Sequence, residues 1–167
     1  MTHPPEAWEQ RLAALWTALD DLDETSFLAQ MHQLTGELPP DHPVALFERA
    51  GAEDSTGHAD LAVPLYRQAL TLGLSGERRR RAVIQLASSL RNLGEVPESV
   101  ALLSAEQMAG SDHLDDAVSA FLALALVDAG REREAVSVAL LALAGHLPRY
   151  QRSVTRYAQA LTTPSSP

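Results

Sequence analysis

The chain has 167 residues, 46% hydrophobic, 21% charged and 5% aromatic, with a net charge of −9 and no cysteine. That composition excludes a disordered chain, a disulfide framework, a thiolate zinc site and a cysteine nucleophile. With so few aromatics the core must be built from Leu, Ala and Val, which suits close-packed helices.

Charge is uneven. Residues 1–60 carry twelve acids and two bases, residues 61–167 ten acids and eleven bases, and every base is Arg. An acidic first third argues against nucleic acid as the main partner, because phosphate contacts need positive surface. The start, MTHPPEAWEQ, has no basic residues leading into an apolar run, so no signal peptide is expected. No apolar stretch continues for the roughly 18 residues a membrane span needs. A cytoplasmic protein without membrane contact is the expectation.

Helical periodicity runs from end to end. Trp8, Leu12, Leu15, Leu19 and Leu22 are spaced by four, three, four and three, with Pro4 and Pro5 where a first turn tolerates them. Phe27, Met31, Leu34 and Leu38 continue the pattern after Asp23-Glu24-Thr25-Ser26, a cluster suited to starting a helix. PPDHP at 39–43 breaks it. Helices are predicted next at 43–55, 59–72, 77–93, 97–108, 113–129, 132–145 and 148–161. Glycines 57, 73, 76, 94, 110, 130 and 145 stand at the joints, where glycine supplies a left-handed residue, and Pro97 and Pro148 suit first turns. The tail TTPSSP, 162–167, reads as disordered.

Self-alignment decides the fold class. STGHADLAVPLYRQAL, NLGEVPESVALLSAEQ and DAGREREAVSVALLAL superimpose on Gly57, Gly94 and Gly130, spaced by 37 and 36. Five residues after each glycine stand Ala62, Ser99 and Ala135; nine after stand Tyr66, Leu103 and Ala139; seven before stand Ala50, Ala87 and Ala123. Small residues let two antiparallel helices cross closely, and a larger one plugs the gap beside the crossing. One pair cannot bury both its faces, so pairs stack.

The pattern Gly57/Ala62/Tyr66/Ala69, Leu86/Ala87/Leu90/Gly94 and Leu122/Ala123/Leu126/Gly130/Ala135/Ala142 resembles the tetratricopeptide repeat over residues 43–145. More narrowly, GAEDSTGHADLAVPLYRQALTLGL followed by RRRRAVIQLASSLRNLG looks like small stand-alone bacterial tetratricopeptide proteins, a family without established enzymatic activity or a single known ligand. The resemblance implies an all-α, right-handed solenoid of about nine helices that binds proteins. The expected organisation is one domain over 1–161: a degenerate helix pair at 1–40, three repeats at 43–145 and a capping helix at 148–161. Departures are repeats longer than about 34 residues, a missing signature tryptophan and proline, and Glu53 at an apolar position.

In the repeat's usual geometry the first helix of each pair lines a concave groove. On the 77–93 helix, Val83, Leu86, Ala87 and Leu90 form the buried stripe, and Arg81, Gln85, Ser88 and Asn92 a polar one. The polar stripe is either a hydrogen-bonding strip for a partner peptide or helix, or a solvated face. The family's carboxylate clamp of Lys and Asn is not expected, since its positions hold Phe47 and Gly51. Arg78 to Arg81 sit at the unfavourable end of a helix dipole and read mainly as solvated, with contact to the acidic first third the alternative. The 113–129 helix is apolar all round, so either the terminal helix folds into the groove or a second protein covers Phe121 and Leu124. A homodimer through these C-terminal repeats is therefore the alternative to a partner-binding scaffold.

Catalysis has little support. His3, His32, His42, His58, His113 and His146 fall mostly near turns or termini, with no helical metal pair. Ser111 or Asp112 is expected to cap a helix whose first turn holds Asp115 and Asp116. No cofactor or metal is expected, and an all-α enzyme is the least favoured reading.

Overall fold

The computed structural model describes residues 4–163. These form nine α-helices and one 3-10 turn: α1 Glu6–Thr17, the 3-10 turn Leu19–Asp21, α2 Glu24–Thr35, α3 Pro43–Ser55, α4 Ala59–Thr71, α5 Gly76–Asn92, α6 Val96–Ala109, α7 Asp115–Asp128, α8 Glu132–Ala144 and α9 Gln151–Thr162. The chain divides into two compact units, Met1–Ser89 and Leu90–Pro167, with the boundary inside α5.

In the first unit Trp8, Leu12 and Leu15 of α1 are buried, as are Phe27, Met31 and Leu34 of α2. The Trp8 indole donates to the Leu34 carbonyl at 2.8 Å, so a buried ring also satisfies a carbonyl in the last turn of α2. Asp23 caps α2 by accepting from the Ser26 N–H. Pro43 opens α3, and the His42 imidazole accepts from the Val44 N–H. Helix α3 is buried almost all round and packs along α4. His58 and Glu24, at the starts of α4 and α2, meet at 2.7 Å.

That contact sets a pH dependence. The Glu24 hydrogen bond raises the His58 pKa above its ordinary 6.5, against a smaller opposing effect of desolvation. A raised histidine contributes stability that is fully present below the unfolded pKa and lost as pH rises through the folded one. In an NMR titration the His58 ring is expected to titrate above the ordinary histidine value, and Glu24→Gln to bring it back toward that value.

In the second unit Val100 and Leu103 of α6, Val118, Leu122, Ala125 and Leu126 of α7, and Ala135 and Ala144 of α8 make the core. Helix α9 runs along α8, where the Ser137 hydroxyl donates to the Ala158 carbonyl at 2.8 Å.

The three repeat turns are built alike. Gly57, Gly94 and Gly130 have φ of 92°, 86° and 70°. The residue after each glycine donates back to Glu53, Leu90 and Leu126, and each glycine donates to Asp54, Arg91 and Val127. This pair of bonds defines the Schellman closure of a helix, which the left-handed glycine makes possible. The crossing residues Ala50, Ala62, Ala87, Ser99 and Ala135 are buried, but Ala123 is half-buried.

Several boundaries differ from the sequence reading. Helix α1 ends at Thr17, with Leu19 in the 3-10 turn, and α2 ends at Thr35, before Leu38. Neither Gly110 nor Gly145 adopts a left-handed conformation. The last helix starts at Gln151 instead of 148, because Tyr150 turns left-handed with φ 69° and Pro148 stays in the preceding loop. Leu114, not Ser111 or Asp112, occupies the cap position of α7. Asp112 instead accepts from the Leu114 N–H, and Asp115 accepts from the Asp112 N–H. His3 and the tail beyond Thr163 lie outside the described residues.

Candidate functional site

The expected groove residues fall into two settings. On α5 the stripe Val83, Leu86, Ala87 and Leu90 is buried, as periodicity required. Of the polar stripe, Arg81 and Asn92 are exposed, while Gln85 and Ser88 are half-buried. The Gln85 amide oxygen is buried and has no hydrogen-bond partner among the described residues.

The arginine run is not a solvated face. Arg78 reaches α1 and α3 together: its Nη atoms donate to Glu9 at 3.0 and 2.6 Å, and its Nε donates to Glu48 at 2.9 Å. Glu48 is buried and also accepts from the Trp16 indole at 2.9 Å. Arg80 is buried, and the Arg81 guanidinium lies 5.4 Å from the centre of the Phe47 ring. The run thus meets the acidic first third through Arg78. Phe47 and Gly51 hold no clamp: Phe47 is buried, and a Cβ on Gly51 would meet the Trp16 ring at 3.3 Å.

Sequence reasoning missed a polar knot beside them. The Ser89 hydroxyl donates to Asp54 at 2.8 Å, and burial pushes the Asp54 carboxyl up while that bond holds it down. Tyr66 is buried with its hydroxyl unpartnered among the described residues, and burial, then Asp54 and Glu48, push its pKa up. Helical spacing alone carries no signal for such a knot.

The second setting is α7. Its apolar faces were expected to be covered by the terminal helix or by a second protein; within the chain Leu124 and Val127 are 46% and 50% exposed, and Phe121 is half-buried. Leu124 and Val127, with Ala120 and Ala123, form one wall of a groove of about 400 Å³; Ala135, Val136 and Ala139 of α8 form the other. Phe121 is not among its lining residues. Every lining side chain is apolar. Among the described residues, nine of the eleven exposed large apolar side chains lie in the unit that holds this groove. Among the described residues no group of His, Asp and Glu is arranged to hold a metal ion, and no helix is long and apolar enough to cross a membrane.

The profile of the family described as "Tetratrico peptide repeat" matches residues 43–161. The chain belongs to the tetratricopeptide-repeat family. Its match reaches through α9, beyond the 145 at which the sequence repeat fades. Two solved structures share the fold of this tetratricopeptide-repeat protein. One is the kinesin light chain nearly identical TPR-like repeats of Podosopora anserina, at 18% identity and TM-score 0.69, over 99% of this chain and 100% of that one. The other is a form of those repeats with one glutamine replaced by methionine, at 19% identity and TM-score 0.71, over 95% and 85%. No curated protein matches the chain significantly. The fold is therefore an all-α helical-repeat solenoid of a class that generally mediates protein–protein interaction.

Proposed function

We propose that this tetratricopeptide-repeat protein is a non-enzymatic cytoplasmic scaffold that docks a helix or peptide of a protein partner. The carrying observation is the open apolar groove between α7 and α8, edged by Leu124, Val127 and Val136. Apolar side chains of this size left in water forgo about 1.5–3 kcal/mol each relative to burial, so a partner with an apolar face gains by entering. The stripe Arg81, Gln85, Ser88 and Asn92 is a further contact strip, with Arg81 and Asn92 exposed at its two ends. A second reading is a homodimer, in which exposed apolar side chains of a second copy cover the same groove.

Affinity capture from the native cell tests the scaffold, with wild type, Leu124→Glu, and Gln85, Ser88 and Asn92 all changed to Ala as baits. Both altered proteins are expected to stay helical: Leu124 and Asn92 are exposed, where changes cost within about 0.5 kcal/mol, and Ala at the half-buried Gln85 and Ser88 is a strong helix former. Leu124→Glu is expected to lose specific partners and the triple variant to hold them less well. Undiminished capture by both would overturn the assignment.

A further inference from the structure

Equivalent positions of the three repeats show where the third differs. Ten residues before the turn glycine stand Phe47, Ile84 and Ala120; nine after it stand Tyr66, Leu103 and Ala139. In the first two repeats all four side chains are large and buried. The Phe47 and Tyr66 ring centres are 6.2 Å apart, so that repeat fills its own gap. In the third repeat both positions are alanine, both are exposed, and both line the groove. Three residues before the glycine stand Asp54, Arg91 and Val127. Asp54 is bonded to Ser89 of α5, and Arg91 donates to Asp128 of α7 at 3.3 Å. Val127 is apolar and half in solvent. The third repeat therefore presents a hole that its own sequence leaves unfilled, and an apolar side chain where the others are tied by polar bonds.

Charge on the same unit says what fills it. The charged side chains of α7 are all acids, Asp115, Asp116 and Asp128; those of α9 are all bases, Arg152 and Arg156, with Arg149 just ahead. Asp116 meets His146 and Asp128 meets Arg91, yet their side chains remain 58% and 43% exposed, open to a second cation. Arg149 and Arg152 are exposed and make no ion pair or hydrogen bond among the described residues. Helix α9 uses Ala158 against α8 and leaves Tyr157 61% exposed, with the Arg156 guanidinium over its ring.

We propose that the groove is filled by α9 of a second copy of this chain, in a two-fold homodimer. Tyr157 of each copy enters the alanine-lined hole of the other, and Arg149 and Arg152 meet the exposed α7 carboxylates. Each copy supplies one groove and one helix, so two contacts form together and the assembly closes at two. The inference rests on the reading of the protein as an interaction module and names its partner.

Sedimentation equilibrium of the full chain tests it. Wild type is expected to be dimeric at about 100 µM and to weaken with added salt. Tyr157→Ala removes the knob. Ala139→Leu fills the hole from within, as Leu103 does in the second repeat, at an exposed position that tolerates it. Each is expected to raise the dimer dissociation constant on the order of tenfold or more with helicity unchanged, and Arg152→Glu to weaken it further. A wild-type monomer at that concentration overturns the dimer, as does a dimer indifferent to both Tyr157→Ala and Ala139→Leu, or growth beyond two. A monomer that loses its captured partners in the Leu124→Glu variant would overturn the dimer and leave the scaffold standing.

Discussion

Trp8→Ala is expected to lower the unfolding free energy by about 3–5 kcal/mol, the range for deleting a buried aromatic ring. Trp8 is one of the largest fully enclosed side chains and sits with Phe27 and Met31 in the core of the first unit. The substitution removes ring area from that core and takes away the indole donor to the Leu34 carbonyl. That carbonyl keeps the Glu37 N–H at 3.3 Å, so the larger part of the cost is the cavity. Trp8→Phe separates the parts: it keeps most of the apolar contact and is expected to cost about 1–2 kcal/mol. Guanidinium unfolding followed by circular dichroism measures both. Near-equal losses in the two variants would mean that the hydrogen bond outweighs the packing.

Arg78→Ala is expected to cost about 2–4 kcal/mol, because it strips the main counter-charge from a buried carboxylate. Glu48 lies in the interior with, among the described residues, only the Trp16 indole as a further donor. Glu9 also loses its bidentate partner, but it is more exposed and is hydrated in compensation. Burial pulls the Arg78 guanidinium down; hydrogen bonding by Glu9 and the Glu48 charge outweigh this and hold it above its ordinary value. Arg78→Met with Glu48→Leu is expected to recover much of the loss, since no buried charge is then left alone. Unfolding of the single and double variants at neutral pH gives the comparison. A double variant no more stable than Arg78→Ala would show that shape, not charge, dominates this contact.

The sequence by itself determined the helices, their pairing and the repeat. Glycines at 57, 94 and 130, and alanines seven residues before them, state a local geometry that a chain of L-residues meets in one way: a left-handed closure and a close crossing. Periodicity likewise named Val83, Leu86, Ala87 and Leu90 as core, and they are buried. Even the hole in the third repeat was written there, since Ala120 and Ala139 replace Phe47 and Tyr66 of the first. Tertiary structure decided which apolar faces find neighbours and where charges end. Periodicity reports that a face is apolar, not what covers it. The α7 helix, apolar all round, left open whether the terminal helix or a second protein covers it; the chain's own fold leaves Leu124 and Val127 open. Four consecutive arginines look alike along the chain, yet three of them separate into an ion bridge to Glu9 and Glu48 (Arg78), a buried side chain (Arg80) and a cation over Phe47 (Arg81). Their partners lie some thirty to seventy residues away along the chain, and only folding brings them within a few ångströms.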